Sequence, residues 1–203
     1  MVWYGNRSTG PANPVDTFED DNLTEYTDTS ANYTIQTGTV KEGQRALQVD
    51  PDNTPMYSSS GLDNYPAQGD SFSLWVRTAN ITDEWLYVFF AGSTGIDDHY
   101  RLFCRWPDDT FRIRTDANVD VCQTGNLGLS TDTWYKVIVQ WDDGSTFGGS
   151  AGDFDLFVEN ASGTQIGSAS GNDTSYTGGN IGYRNTNSST SDSMYVDHWI
   201  ITN

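Results

Sequence analysis

Positive charge is scarce in this 203-residue sequence, which has ten Lys and Arg residues against 28 Asp and Glu residues. Only two of the ten are lysines, Lys41 and Lys136. The formal net charge of −18 has the sign of a nucleic-acid backbone, so no nucleic-acid partner is expected. At low ionic strength this charge opposes the compact state by self-repulsion, whereas molar salt shortens the Debye length to about 3 Å. The composition therefore predicts adaptation to very high salt.

Long apolar runs are also absent, because no segment approaches the roughly 20 residues of a membrane span. Residues 1–18 lack the basic start and apolar centre of a secretory signal. We therefore predict no membrane insertion and, if Met1 is the native start, synthesis in the cytoplasm. Residues 1–15, which contain Pro11 and Pro14, are interpreted as an extended arm along a neighbouring subunit or else as a disordered terminus. Residues 16–203 are predicted to form one domain.

No segment shows a helical period of convincing length, whereas short runs of β-branched and aromatic residues recur between Gly, Asp, Asn and Ser clusters. Many short antiparallel strands of this kind favour two packed sheets. The sequence therefore predicts an all-β, two-sheet antiparallel sandwich. The strongest predicted strands are residues 45–50, 71–78, 84–92, 99–106, 110–116, 134–142, 154–160, 180–185 and 193–202.

Seven segments in a characteristic order resemble the concanavalin A-like, laminin-G-like jelly-roll domain, over residues 16–203. They are FEDDNLTEY, VKEGQRALQV, SFSLWVRT, WLYVFFAG, TWYKVIVQWDDG, FDLFVEN and MYVDHWIIT. The resemblance implies a jelly-roll fold. It also limits the function, because this superfamily includes lectins, carbohydrate-binding modules, adhesive domains, viral surface proteins and some glycanases.

The glycanases of this superfamily place Glu-x-Asp-x-(x)-Glu on one strand face, because retaining hydrolysis needs two carboxylates about 5 Å apart. The nearest match here is DFDLFVE, with Asp153, Asp155 and Glu159. Its last carboxylate lies two positions too far along the strand. The two histidines, His99 and His198, have no partner pattern for catalysis. We therefore predict that the chain is not an enzyme.

The resemblance also implies a structural calcium ion, or another cation, that joins the two ends of the domain. The matching ligand positions are Glu19 or Asp20, a backbone carbonyl near Glu42 and Gly43, and Asp197. Calcium takes six to eight oxygen ligands, which carboxylates and carbonyls supply. Asp197 interrupts an apolar strand, where an unpaired buried carboxylate is costly. The alternative is that these residues are ordinary surface acids.

Four of the eight arginines fall within residues 100–114, YRLFCRWPDDTFRIR, which is predicted to form a hairpin with Trp106 opposite Phe111. Side chains then alternate between two faces, and Arg105 lies opposite Arg112, where like charges need a counter-charge. The predicted core face is Tyr100, Leu102, Cys104, Trp106, Phe111 and Ile113. The predicted outward face is Arg101, Phe103, Arg105, Arg112 and Arg114.

Two explanations of this outward face remain open. In the structural explanation, Asp120 in the following NVDVCQ segment lies on the same face and neutralises part of it. In the functional one, Phe103 flanked by guanidinium groups binds an acidic or sulfated glycan or a partner's carboxylates, and Trp75 and Arg77 extend the platform. The same register places Cys104 inward and Cys122 outward, so we predict free thiols.

Together these features favour a non-enzymatic virion surface protein of a halophilic archaeal virus, such as a capsid decoration, turret or fibre component. Its expected partners are other virion proteins or copies of itself, and acidic or sulfated host glycans. The alternative is a secreted or cell-surface carbohydrate-binding or adhesion module of a halophilic archaeon. A divergent glycanase is a third hypothesis.

Overall fold

A computed structural model describes residues 13–27, 29–52, 54–58, 60–80, 85–92, 98–186 and 192–202. Strands dominate these residues, which include a single short 3₁₀-helix, Trp106–Asp108, and no helix suited to crossing a membrane. The strands are β1 (Asn13–Asp16), β2 (Tyr33–Gln36), β3 (Ala46–Val49), β4 (Met56–Ser58), β5 (Ser71–Thr78), β6 (Trp85–Gly92), β7 (Tyr100–Arg105), β8 (Thr110–Thr115), β9 (Asp120–Gln123), β10 (Tyr135–Trp141), β11 (Asp153–Glu159), β12 (Gln165–Asn172), β13 (Asn180–Asn185) and β14 (Met194–Ile201).

The strands form two antiparallel sheets. The eight-stranded sheet has the order β12-β11-β10-β5-β14-β3-β2, with β1 paired to the C-terminal half of β14. The six-stranded sheet has the order β4-β13-β6-β7-β8-β9. This arrangement confirms the predicted two-sheet jelly roll. Residues 13–15, predicted as part of the arm, are instead in or next to strand pairing of the domain, and residues 1–12 lie outside the described residues.

The core lies between the sheets and is rich in aromatic rings. β10 alternates buried and half-buried residues along its length, as expected for a strand with one face in the core. Trp141 on β10 stacks on Phe154 of β11 at 5.3 Å, and Phe72 of β5 meets Phe90 of β6 edge to face at 5.2 Å. All four side chains are fully buried. The aromatic residues of the two inner faces therefore join the sheets.

One edge of the sandwich is closed by direct backbone contact between the sheets. A Cβ at Gly171 on β12 would lie 2.0 Å from the carbonyl oxygen of Val121 on β9. Only glycine leaves room for this approach. The contact holds the edge strand of one sheet against the edge strand of the other.

Candidate ligand-binding surfaces

The predicted arginine hairpin forms from β7 and β8, but its register differs by two residues from the prediction. Arg105 lies opposite Thr110, Phe103 opposite Arg112, and Arg101 opposite Arg114. The predicted Arg105–Arg112 pairing, like that of Trp106 with Phe111, is therefore wrong. The cause is the connection, since Trp106–Asp108 form a 3₁₀ turn and Asp109 takes a left-handed conformation with φ 58°.

The predicted faces of the hairpin are nevertheless correct, because a shift of two residues keeps each side chain on its side of the sheet. The residues assigned to the core are all buried there. They are Tyr100, Leu102, Cys104, Trp106, Phe111 and Ile113.

Two carboxylates neutralise part of the arginine face. Asp120 lies 2.6 Å from Nε of Arg114 and 3.4 Å from a terminal nitrogen of Arg112. Its predicted position on this face is confirmed. Asp108, which the sequence reading did not use, forms ion pairs with Arg112 at 2.9 Å and with Arg105. The sequence could have indicated both pairs, because Asp108 lies three residues after Arg105 and four residues before Arg112.

The arginines cover a row of aromatic rings on the outward face of the six-stranded sheet, and we call this assembly the arginine layer. Its guanidinium carbons lie 4.7 to 5.9 Å from ring centroids, within cation–π distance. Tyr87 stacks on Phe103 at 4.7 Å. The members are Arg101, Arg105, Arg112, Arg114, Arg184, Trp85, Tyr87, Phe89 and Phe103.

Phe103 is only 2% exposed beneath Arg112 and Arg114, so it is not the open stacking platform that the sequence suggested. Arg184 on β13 lies opposite Tyr87 and was missed by the sequence reading. The alternation in NIGYRN would have placed Arg184 on the outward face, but nothing local indicates that β13 pairs with β6.

Trp75 and Arg77 do not extend the arginine layer, because β5 belongs to the eight-stranded sheet. The indole N–H of Trp75 donates to Glu42 at 2.7 Å, and the ring contacts Nζ of Lys41 at 4.4 Å. Arg77 stacks on a tyrosine ring of the same face and pairs with Asp132 at 2.5 Å. Both predicted ligand contacts therefore lie on the other surface of the sandwich, engaged with their own neighbours.

Both cysteines are free, as predicted, but the outward position predicted for Cys122 is wrong. Cys122 pairs with Ile113 and Asp120 pairs with Arg114, so β9 has an extra residue between them. This bulge puts Asp120 and Cys122 on opposite faces. Burial raises the pKa of Cys122 to about 11, which leaves a protonated and unreactive thiol.

The predicted metal ligands bind separate protein groups. Glu19 Oε1 accepts two backbone N–H groups from the loop of residues 41–45, at 2.8 and 3.0 Å, and Asp197 Oδ2 accepts two others, at 2.7 and 2.9 Å. Asp20 accepts the side-chain amide of Asn22 at 2.8 Å. Within the described ranges, no group of three or more His, Cys, Asp or Glu side chains is placed to hold a metal ion. Calcium binding therefore stays a prediction without an assembled ligand set.

Asp197 connects the last strand to the 41–45 loop from a fully buried position. Burial raises the pKa of Asp197 to about 6, although its two N–H donors favour the charged form. Gly43 allows the loop to close on the other carboxylate, since it has φ +70° and a Cβ there would lie 2.2 Å from Glu19 Oε1. These acids therefore fasten the loop by hydrogen bonds.

A groove of about 380 Å³, which we call the polar groove, lies on the outward face of the eight-stranded sheet. Its floor is a cross-strand row in which Asp155 on β11 lies between Gln140 on β10 and Ser170 on β12. The loop between β10 and β11 forms its wall. The lining residues are Gln140, Asp142, Phe147, Gly149, Asp153, Phe154, Asp155, Ser170, Gly171 and Asn172.

The wall loop is held in place by hydrogen bonds from its own backbone to aspartates. Asp142 accepts the N–H groups of Gly144 and Gly149, both at 2.6 Å, and Asp153 accepts that of Ser150 at 2.7 Å. This bonding positions Phe147, whose half-buried ring has no aromatic contact in the described part of the chain. The loop thus contributes an aromatic ring to the lining of a groove that has a polar floor.

Two acids of the DFDLFVE strand, Asp153 and Asp155, lie in the polar groove and accept hydrogen bonds from neighbouring side chains. Asp153 accepts the amide of Asn172 at 2.6 Å, and Asp155 accepts the hydroxyl of Ser170 at 2.5 Å. The N–H of Ser150 and the Asn172 amide lower the pKa of Asp153, whereas a general acid needs a raised pKa. These groups are therefore suited to accepting hydrogen bonds.

No protein-family model matches the chain, and no curated protein matches its sequence. Solved structures match its fold. Carbohydrate-binding module CBM66 from Bacillus subtilis aligns with a TM-score of 0.59 at 9% identity, over 90% of this chain and 98% of that one. Lectin I-B4 from Griffonia simplicifolia aligns with a TM-score of 0.54 at 11% identity, over 95% and 98%.

A protein of unknown function with a galectin-like fold, from Bacillus subtilis, aligns with a TM-score of 0.58 at 13% identity, over 96% of both chains. At these identities the likeness establishes the fold alone. The chain therefore has the two-sheet jelly-roll fold, concanavalin A-like in its architecture, that these solved structures share.

Proposed function

We propose that this chain is a non-enzymatic carbohydrate-binding module whose sugar site is the polar groove. The observation that carries the proposal is that Phe147 and several hydrogen-bonding side chains line the same groove on an outward sheet face. A pyranose ring has an apolar C–H face that packs on an aromatic ring, and a rim of hydroxyl groups that pairs with carboxylates and amides. Gln140, Asp155 and Asn172 supply those polar partners around the ring of Phe147.

Two further observations support this function. The solved structures with the same fold include a carbohydrate-binding module and a lectin. The lowered pKa of Asp153 opposes a role as general acid, and Glu159 is buried, beside a bulge in the neighbouring strand β12. The groove thus has the groups for binding a sugar and lacks a paired acid and nucleophile.

Replacing Phe147 with alanine should weaken glycan binding by about tenfold, because one aromatic contact contributes on the order of 1 kcal/mol beyond its buried area. The neutral glycan that binds best in an array would be titrated calorimetrically against both proteins. Val119→Ala is a matched control, since Val119 is 60% exposed in the connection between β8 and β9, away from the groove. Binding that survives F147A, or that V119A weakens equally, would contradict the assignment of the groove.

The location of this module on the virion of a halophilic archaeal virus, as a capsid decoration, turret or fibre component, is a finer part of the proposal. The net charge of −18 motivates the high-salt setting, and the exposed groove suits an adhesive surface. The alternative setting is a secreted or cell-surface module of a halophilic archaeon. Sedimentation of the chain with purified particles would distinguish the two settings.

Molar KCl should raise the thermal midpoint by about 5 to 10 °C over low salt, which for a domain of this size corresponds to about 2 to 3 kcal/mol. The reason is that salt screens the repulsion among 28 acidic residues. Scanning calorimetry measures the shift. Sucrose at equal osmolality stabilises without screening charge, so it should produce a smaller rise. A midpoint that does not rise with KCl would contradict salt adaptation.

A further inference from the structure

The arginine layer has more positive charge than its own acids neutralise. It contains five guanidinium groups, whereas two described carboxylates, Asp108 and Asp120, form ion pairs with it. These carboxylates pair with Arg105, Arg112 and Arg114. The surplus is therefore carried by Arg101 and Arg184, in a protein whose net charge is strongly negative.

Arg101 on β7 and Arg184 on β13 both stack on one tyrosine of β6, the strand between theirs. Their guanidinium carbons lie 5.1 and 4.9 Å from the ring centroid of Tyr87. Arg184 also lies 5.8 Å from the ring of Phe89. Among the described residues, neither arginine forms an ion pair, and Nε of each is buried without a hydrogen-bond partner.

The polar neighbours of this pair do not remove its charge. Arg101 donates to the neutral side-chain oxygen of Asn118. Burial, together with repulsion from Arg114 and Arg184, lowers the pKa of Arg101. Asp116 attracts Arg101 but forms no ion pair with it in the described part of the chain, and its carboxylate accepts the hydroxyl of Tyr176 at 2.6 Å. The two like charges are thus held near one ring, with no carboxylate of the described residues paired to either of them.

We propose that Arg184, with the buried Arg101 beside it on Tyr87, binds a sulfate or carboxylate group of an acidic polysaccharide at the arginine layer. Guanidinium groups pair with such oxyanions through two parallel hydrogen bonds. Stacking on Tyr87 already restricts both side chains, so binding costs little additional conformational entropy. The choice of a polysaccharide rests on the proposed function, whereas the site is separate from the polar groove.

The two surfaces select opposite ligands because their charges differ. The polar groove is lined by Asp142, Asp153 and Asp155, which repel an anionic sugar. The arginine layer lies on the other sheet of the sandwich and attracts one. An acidic glycan would therefore bind through the arginine layer, while a neutral glycan would bind through the groove.

The test is binding of dextran sulfate, with unsulfated dextran as the comparison, to the full chain and to Arg184→Gln. The variant should bind dextran sulfate about tenfold more weakly, the loss expected for one charge-assisted pair. Arg77→Gln is the matched control, since it removes a guanidinium stacked on a ring of the other sheet. Equal affinity of R184Q and the unmodified chain, or an equal loss in R77Q, would overturn the proposal.

Further arms separate this proposal from its alternatives. Phe147→Ala should leave dextran sulfate binding unchanged. The proposal for the groove and the proposal for the arginine site would therefore be contradicted by different results. If R184Q lacks the native near-UV circular dichroism, Arg184→Lys decides, because lysine retains the charge without the bidentate fork. Binding weakened at least about threefold in R184K supports the proposal, and unchanged binding overturns it. The proposal would also be overturned if the chain bound polyglutamate and did not bind dextran sulfate.

Discussion

Replacing Phe103 with alanine should lower the free energy of unfolding by about 3 to 5 kcal/mol, although Phe103 points away from the main core. Its ring is 2% exposed and stacks on Tyr87 with an interplanar angle of 5°. Arg112 and Arg114 cover it, at 5.9 and 5.4 Å from the ring centroid. Truncation removes the surface on which these guanidinium groups stack and leaves a cavity beneath their charges. Both losses destabilise the folded chain.

Urea unfolding of the unmodified chain and of F103A measures this difference. Phe147→Ala is the matched control, because Phe147 is half-buried on an exposed loop and has no part in the core clusters. It should cost less than about 1 kcal/mol, as surface substitutions usually do. If F103A lowers the free energy of unfolding no more than F147A does, the arginine layer is not a second stabilising cluster. The distinction matters for binding, because the same stacking holds the guanidinium groups in position.

The sequence predicts the faces of this hairpin well and its register poorly. Alternation of apolar and charged residues assigns Leu102 and Ile113 to the core irrespective of the turn, because any register shift of two residues preserves the faces. The register itself depends on the left-handed conformation of Asp109. No local sequence pattern distinguishes Asp109 from the other aspartates of the chain, so this conformation could not be predicted. The position of Cys122 was missed for a similar reason, since the bulge in β9 has no sequence signal of its own.

Most of the polar groove could not be predicted from the sequence. Its floor includes β12, QIGSASGN, an edge strand whose residues are mostly exposed or half-buried and therefore lack an apolar pattern. Asp153 and Asp155 were noticed as acids on one strand face, but the sequence alone does not bring them close to Phe147. Arg184 likewise meets Tyr87 through a pairing of strands far apart in the chain. Long-range strand order, rather than local propensity, assembles both candidate sites.

Replacing Gly171 with alanine should lower the free energy of unfolding by about 2 to 4 kcal/mol, a large effect for one added methyl group. The new Cβ would lie 2.0 Å from the carbonyl oxygen of Val121 and 3.2 Å from Cβ of Cys122. These atoms belong to β9 in the other sheet, so no side-chain rotation relieves the contact. Relief requires β9 and β12 to separate, which opens the closed edge of the sandwich.

Gly125→Ala is the matched control for this substitution, because a Cβ at Gly125 would meet no atom within 4 Å. Its stability change should stay within about 0.5 kcal/mol, so the difference between the two variants isolates the contact between the sheets. Chemical unfolding measures both. Gly171 also lines the polar groove, and separation of β12 would displace Ser170 and Asn172 from Phe147. A Gly171→Ala variant that unfolds like the unmodified chain would show that β9 and β12 separate at little cost in free energy. The groove would then lack the rigid floor that sugar binding requires.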